Sequence, residues 1–415
     1  MGLKALEDDR FVGAGGMHAH ASTRLTSMRG VVRAWSCAVL FVLPATSALA
    51  QGAGIEARTL RNGLLVLVIH NASAEKFEVS TGVFAGSRDE PATLRGLTHL
   101  SEHIAMRETR SGTSIAETAA ANDIAMTAVT LGDLTRFTSS ANPTAKALQT
   151  VLELERRRLG DVIVTPSTVA AEIQRIRTET SGRLGDQHDG NALFGTHRLA
   201  RASSHVDLAR ITDDDVRAFI RRYYVPGNAT VVISSSLPTN DVLVMAERVL
   251  GVVPAGKPIA RPIFRDSTRI ASTGRRGPVA GGGGYGLAVT IPGLQHPARP
   301  AIERDLAVLR MRLVAAGPES AVVTISDQSP ASVLSIRTPS SAVLDSVFAL
   351  LDARPTIGQR DAQPATPDLL QCEAAGDWRY CLVIAAARAS PANNERLDAL
   401  GTFLRGSQTP LPLWP

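Results

Sequence analysis

His99-Leu100-Ser101-Glu102-His103 sets two imidazoles four residues apart, with a carboxylate directly before the second. On a helix, residues i and i+4 share a face, so both rings can reach one metal ion while Glu102 stands beside them. Imidazole nitrogens are zinc donors, and a carboxylate next to a metal-bound water is placed to take its proton. The plain alternative is a pair of solvated histidines around a helix-forming Glu. A catalytic zinc site needs three protein donors and one open position, so a third donor must come from elsewhere in the chain. The other histidines offer little: His188 follows Asp186-Gln187, and His197 and His205 sit among polar neighbours, so all three read as surface residues. Nucleophilic hydrolysis has no support, because no Gly-x-Ser-x-Gly elbow occurs and no cysteine stands beside a candidate histidine base.

The surrounding periodicities say what must position this motif. Residues 94–109 have helical spacing and carry it, and a second helical run covers 114–122. Before them, Leu60-Arg61-Asn62-Gly63-Leu64 with LVLVI predicts strands around an Asn-Gly turn, and 77–85 predicts another strand. Residues 126–140 (MTAVTLGDLTRFTSS) are strand-like. Helices follow from Pro143 through Leu159, with an apolar stripe read as core, and from Pro166 to about Leu184, where Glu172 and Glu179 are seven apart and face the same way. Thr212 caps a helix over 213–224, and a strand starts at Ala229. Strands and helices in this order, with hairpin signals early, predict an α+β fold.

At 415 residues, 44% hydrophobic and 20% charged, the chain is long enough for two or three globular cores. Its net charge of +5 comes almost wholly from dispersed Arg, with Lys only at Lys4, Lys76, Lys146 and Lys257, and aromatic content is 4%. A nucleic-acid partner is therefore not expected. Residues 31–50 (VVRAWSCAVLFVLPATSALA) form an apolar run with Arg29 and Arg33 at its front and Ala48-Leu49-Ala50 at its end, the pattern of a cleaved export signal. Cleavage after Ala50 is expected, with Met28 as the expected true start, and no other apolar segment approaches a membrane span. The expected layout is a signal region over 1–50, an N-terminal domain over 51–255, a Pro/Gly-rich linker over 256–286 containing Gly281 to Gly284, and a C-terminal domain over 287–415. The expected location is periplasmic or secreted, with no membrane contact after signal cleavage. Cys372 and Cys381 either close a short disulfide loop or remain two buried thiols.

Longer matches accompany the motif. Thr59-Leu60-Arg61-Asn62-Gly63-Leu64 resembles the T-L-x-N-G-L opening of the insulinase and pitrilysin family of zinc peptidases, which includes the mitochondrial processing peptidases. Gly96 to His103 resembles that family's G-L-A-H-F-L-E-H. Thr127-Ala128-Val129-Thr130 with Asp133, Thr135 and Phe137 is similar to its N-A-x-T strand and continuation, and Ile211-Thr212 through Asn228 to its I-T-x-x-D…Y-x-P-x-N segment. Together these cover about two hundred residues in family order. The chain departs at Thr127, where the family usually carries an Asn that holds substrate backbone, at Ser101, which replaces a large apolar residue, and at Glu108, which replaces a Gly. The resemblance implies two domains of mixed, largely antiparallel sheet with helices packed on one face, the second shortened from Leu287, and Met311-Arg312-Leu313 is the nearest trace of the family's Arg and Tyr substrate clamp.

The resemblance implies the missing donor. The family's third ligand lies about 76 residues beyond the second histidine, which is Glu179 here. It implies Zn2+ held by His99, His103 and Glu179, with Glu102 as general base to a water whose pKa the metal lowers toward about 7. Glu172, one heptad before Glu179, joins Glu102 in the catalytic set by orienting a ligand or tuning its charge. The function implied is an exported zinc endopeptidase or oligopeptidase acting on peptides or unfolded polypeptide. The alternative is a non-catalytic or partner-dependent member that works with a second family subunit, as a heterodimer, or as a homodimer.

Overall fold

A six-stranded sheet carries the first half of the chain. A computed structural model describes residues 54–181, 205–257, 259, 274–278, 284–316, 321–326, 331–352, 368–389, 397 and 399–400. The signal-like segment, His188, His197 and most of the glycine run lie outside these residues. Strands β1 (Ile55–Thr59) and β2 (Leu65–His70) form a hairpin around Asn62-Gly63. Gly63 takes φ 85°, the left-handed region that Gly enters without cost, and Asn62 donates to the carbonyls of Leu250 and Val253. With β3 (Phe77–Val83), β4 (Ala125–Thr130), β5 (Thr135–Ala141) and β6 (Ala229–Ser235), the order across the sheet is β1-β2-β6-β3-β5-β4. Only β2 and β6 run parallel. The fold is mixed α+β.

One face of this sheet is covered by α1 (Leu97–Ile104), α2 (Ile115–Ala120), α3 (Ala145–Gly160), α4 (Pro166–Thr180), α5 (Asp213–Tyr223) and α6 (Thr239–Leu250). Hydroxyl caps start four of them: Ser114, Thr144, Thr165 and, as the sequence predicts, Thr212, which forms a capping box with Asp215. The motif helix is shorter than its periodicity predicts. Residues 105–114 turn back, because Arg157 of α3 reaches across to the hydroxyl of Thr109 (2.9 Å) and to Thr113. That buried cation satisfies the turn's oxygens better than another helical turn can.

The second face of the sheet is not left to solvent. Strand β2 is apolar on both sides: Val66 and Val68 enter the helical core, while Leu67 packs with Leu369, Trp378 and Leu382. Those residues belong to a hairpin of α9 (Leu369–Ala375) and α10 (Tyr380–Ala389), whose connection is tied by a Cys372–Cys381 disulfide. Arg136 of β5 pairs with Asp368 ahead of α9 at 2.5 Å.

The remaining strands β7 (Gly274–Pro278), β8 (Tyr285–Pro292), β9 (Val322–Ser326) and β10 (Ala331–Thr338) form an antiparallel sheet in the order β7-β8-β10-β9. Helices α7 (Arg299–Ala316) and α8 (Ser341–Asp352) share its core through Ile302, Leu306, Leu309, Leu344 and Val347. Strand β7 lies inside the Pro/Gly-rich stretch 256–286, where Gly286 and Gly277 face each other across the β7–β8 pair. Strand pairing has there overridden composition. No helix of the described residues is long and apolar enough to cross a membrane.

Candidate metal centre

Helix α1 divides its residues by face. Leu97, Leu100, Ser101 and Ile104, at i, i+3, i+4 and i+7, are buried against the core. The other side presents His99, Glu102 and His103 toward α4 and β4. Its N-terminus begins at Gly96 (φ 101°), where a Cβ would stand 3.1 Å from Leu208, and Gly has no side chain to cap with. Glu90 caps from a distance instead: its two oxygens accept the N–H groups of Gly96 (3.1 Å) and Thr98 (2.8 Å). Burial pushes the Glu90 carboxyl up to about 7 from an ordinary 4.5, against those hydrogen bonds. The folded chain therefore holds more protons than the unfolded chain between these values, and stability falls as pH rises through the window. Glu90→Gln is expected to flatten the denaturation midpoint against pH between about 4.5 and 7; a slope equal to that of the wild type would remove Glu90 as its source.

His99, His103 and Glu179 converge. His99 Nε2 lies 3.2 Å from His103 Nε2, and Glu179 Oε2 lies 3.8 Å from the first and 3.4 Å from the second. Three donors each about 2.05 Å from a tetrahedral zinc sit about 3.3 Å apart. The three observed separations bracket that edge length, so the donor set fits the face of a zinc tetrahedron. Among the described residues this is the group of His and Glu side chains that can hold a metal ion. The two histidine side chains are mostly covered, whereas Glu179 is 42% exposed and leaves the centre open on its side.

Each histidine has a partner on its other nitrogen. His103 Nδ1 lies 3.0 Å from Glu172 Oε2, and Arg107 (2.7 Å) and Arg175 (3.3 Å) hold the other Glu172 oxygen. Glu172 is 2% exposed, so it is no solvated helix residue. Burial raises its carboxyl pKa, but the His103 and Arg107 hydrogen bonds and the Arg107 and Arg175 charges outweigh that and hold it below the ordinary value. An ionised Glu172 accepts the Nδ1 proton and leaves Nε2 free to bind a metal. His99 Nδ1 lies 2.8 Å from His205 Nε2. The sequence reading of His205 as a surface residue is thus corrected: its neighbours in sequence are polar, but its turn folds onto the start of α1. Burial lowers its pKa, opposed by the Glu179 charge and aided by His103.

Glu102 stands on the side of β4. Thr130 Oγ1 donates to its Oε2 at 2.5 Å. Burial pushes its carboxyl up; the Thr130 hydrogen bond and His103 oppose this, Glu179 adds to it, and Arg158 opposes it. Arg158 lies at the base of this arrangement, fully buried, paired with Glu155, 4.1 Å from the centre of the Phe137 ring and beside the sulfurs of Met106 and Met126. The α3 stripe reads as plain core in sequence, which hides this cation. Arg312, the nearest trace of a clamp, is turned inward and donates to the Leu350 carbonyl at 2.6 Å. No sequence signal marks Glu90 or His205, because both act through tertiary contacts.

Two helix histidines and a carboxylate from a second helix, gathered at tetrahedral spacing beside an α+β sheet, mark a zinc-peptidase-like protein of the inverted H-x-x-E-H type. Comparison with known proteins gives the family. Residues 65–201 match the insulinase domain of peptidase family M16, and residues 210–302 match the domain described as the M16 inactive domain. The chain belongs to the insulinase (M16) family. It is 26% identical over 217 residues to an uncharacterized zinc protease of Mycobacterium leprae, a match spanning 49% of this chain and 47% of that protein. It is 25% identical over 210 residues to a probable mitochondrial-processing peptidase subunit beta of Schizosaccharomyces pombe, covering 47% and 45%. These matches take in about half the length of the curated relatives. In structure it resembles pitrilysin (TM-score 0.62, 17% identity, 85% of this chain and 43% of that one). It also resembles the first half of the periplasmic protease PqqL from Escherichia coli (TM-score 0.57, 16% identity, 85% and 86%).

Proposed function

We propose that this chain is a zinc-dependent endopeptidase or oligopeptidase of the exported space. The observation that carries the reading is the tetrahedral spacing of His99 Nε2, His103 Nε2 and Glu179 Oε2. Zinc bound there supplies acidity to a water molecule and polarises the scissile carbonyl. Glu172 holds the His103 ring with Nε2 inward. Thr130 fixes Glu102 through Oε2, which leaves Oε1 to take the water proton and pass it to the leaving amine. A raised Glu102 carboxyl suits that transfer, since its carboxylate binds a proton more readily than an ordinary one and the acid so formed can still protonate a leaving amine.

Strand β4 is one edge of the sheet, pairs with β5 alone among the described residues, and ends at Thr130 beside Glu102. Its unpaired backbone groups suit an extended peptide added as a further strand. Thr127, exposed on this edge, replaces the amide expected there with a shorter hydroxyl. The Cys372–Cys381 disulfide and the signal-like residues 31–50 support an oxidising, exported location, the periplasm or outside the cell. Two domains, over 51–255 and 287–415, remain our layout.

The test is zinc analysis of the purified chain with hydrolysis of an unfolded polypeptide. One zinc per chain is expected, with hydrolysis lost on chelation and restored by zinc. Absence of bound zinc would end the proposal. A second reading, favoured by the inward turn of Arg312, is that the chain holds zinc but cleaves only with a partner subunit or a second copy that completes the substrate contacts. Zinc without hydrolysis until such a subunit is added decides for it.

A further inference from the structure

We propose that His205 is a positioning residue of the metal centre, holding the His99 ring in the one tautomer and orientation that directs Nε2 to a divalent transition metal ion. The inference rests on His99, His103 and Glu179 being the donors. Two imidazole nitrogens 2.8 Å apart need one N–H and one lone pair between them. His99 Nε2 faces the other two donors and so carries its lone pair inward, which places the proton on Nδ1 and makes His205 Nε2 the acceptor. His103 is held in the same way by Glu172. The two donor histidines are thus oriented by different groups, a carboxylate for His103 and a second imidazole for His99.

The turn that carries His205 is built for this position. Buried Asp207 accepts the N–H of Arg95 at 3.2 Å, one residue before the start of the motif helix's cap. Leu208, whose N–H returns to the His205 carbonyl at 3.3 Å, packs its side chain against Gly96. Gly96 is itself the residue held by Glu90. Cap, turn and His205 are therefore fastened to one point, and a shift of the turn moves the ring against His99. Val206 beside it is 72% exposed, whereas Leu208 is buried in the core and anchors the turn there.

The test uses the full chain as wild type, His205→Ala, His205→Phe and His205→Gln, with folding compared by thermal unfolding. The zinc dissociation constant is read by chelator competition, and the geometry by the visible absorption of the cobalt-substituted protein. Loss of the acceptor in the Ala and Phe variants should weaken zinc binding about 10- to 100-fold and shift the cobalt bands. Gln, whose side-chain oxygen can accept the same N–H, should recover most of the affinity and the wild-type bands. Wild-type affinity and bands in Ala and Phe, or a Gln variant as weak as Ala, would overturn the inference. A wild-type chain that takes up no zinc fails at the donor set instead, which separates this proposal from the one beneath it. Since Phe fills the space of the ring, a fold that collapses only in Ala leaves Phe against Gln to decide.

Discussion

Glu102→Gln is expected to lower peptide hydrolysis by about two to four orders of magnitude while zinc content stays at the wild-type level. The substitution keeps the shape of the side chain and an oxygen that can accept from Thr130, but removes the group that takes a proton. Because Glu102 is buried and its carboxyl is pushed up by that burial, a neutral amide there costs no desolvation, and the variant should unfold at or above the wild-type temperature. The loss is then chemical and not structural. A matched Glu102→Asp variant, which withdraws the carboxylate by one methylene, should fall between the two, since a misplacement of about 1 Å costs on the order of a hundredfold. Hydrolysis by Glu102→Gln within tenfold of wild type would show that the proton goes elsewhere.

Removing the third donor should have the next largest effect. Glu179→Gln leaves two histidines on one helix, and zinc affinity should fall by more than the 10- to 100-fold expected when a partner outside the donor set is lost. Glu179 lies in the last turn of α4 and is 42% exposed, so its change should alter stability by no more than about 0.5 kcal/mol. Glu172→Gln is the comparison. It keeps all three donors and weakens only the carboxylate that fixes His103, while leaving Arg107 and Arg175 without their counter-charge. Its zinc loss should be smaller and its stability loss larger. The reverse order, with Glu172→Gln losing the metal and Glu179→Gln retaining it, would exchange the roles assigned to the two residues.

Much of this arrangement is legible in the chain because it is local. The i, i+4 spacing of His99 and His103 brings their donors together on any helix, and the heptad between Glu172 and Glu179 aligns two carboxylates on one face. The Thr212 cap and the Asn62-Gly63 turn are short-range chemistry, and the structure has them at those positions. The distance from His103 to Glu179 is not of this kind. It comes from family resemblance, since nothing in the spacing itself says that α4 lies beside α1.

What the sequence by itself determined was therefore the type of centre: two imidazoles and a neighbouring carboxylate on a helix, and a fold class of mixed sheet and helix. What only the tertiary structure decided was which groups surround it. Glu90 caps the motif helix from outside it, His205 meets His99 across 106 residues, and Arg158 lies buried beneath. Arg157 ends the helix early by drawing Thr109 and Thr113 back. These are polar side chains whose partners are fixed by packing, and hydrogen bonds between distant residues leave no periodic trace. A histidine among polar neighbours looks the same in sequence whether it faces water or a second imidazole.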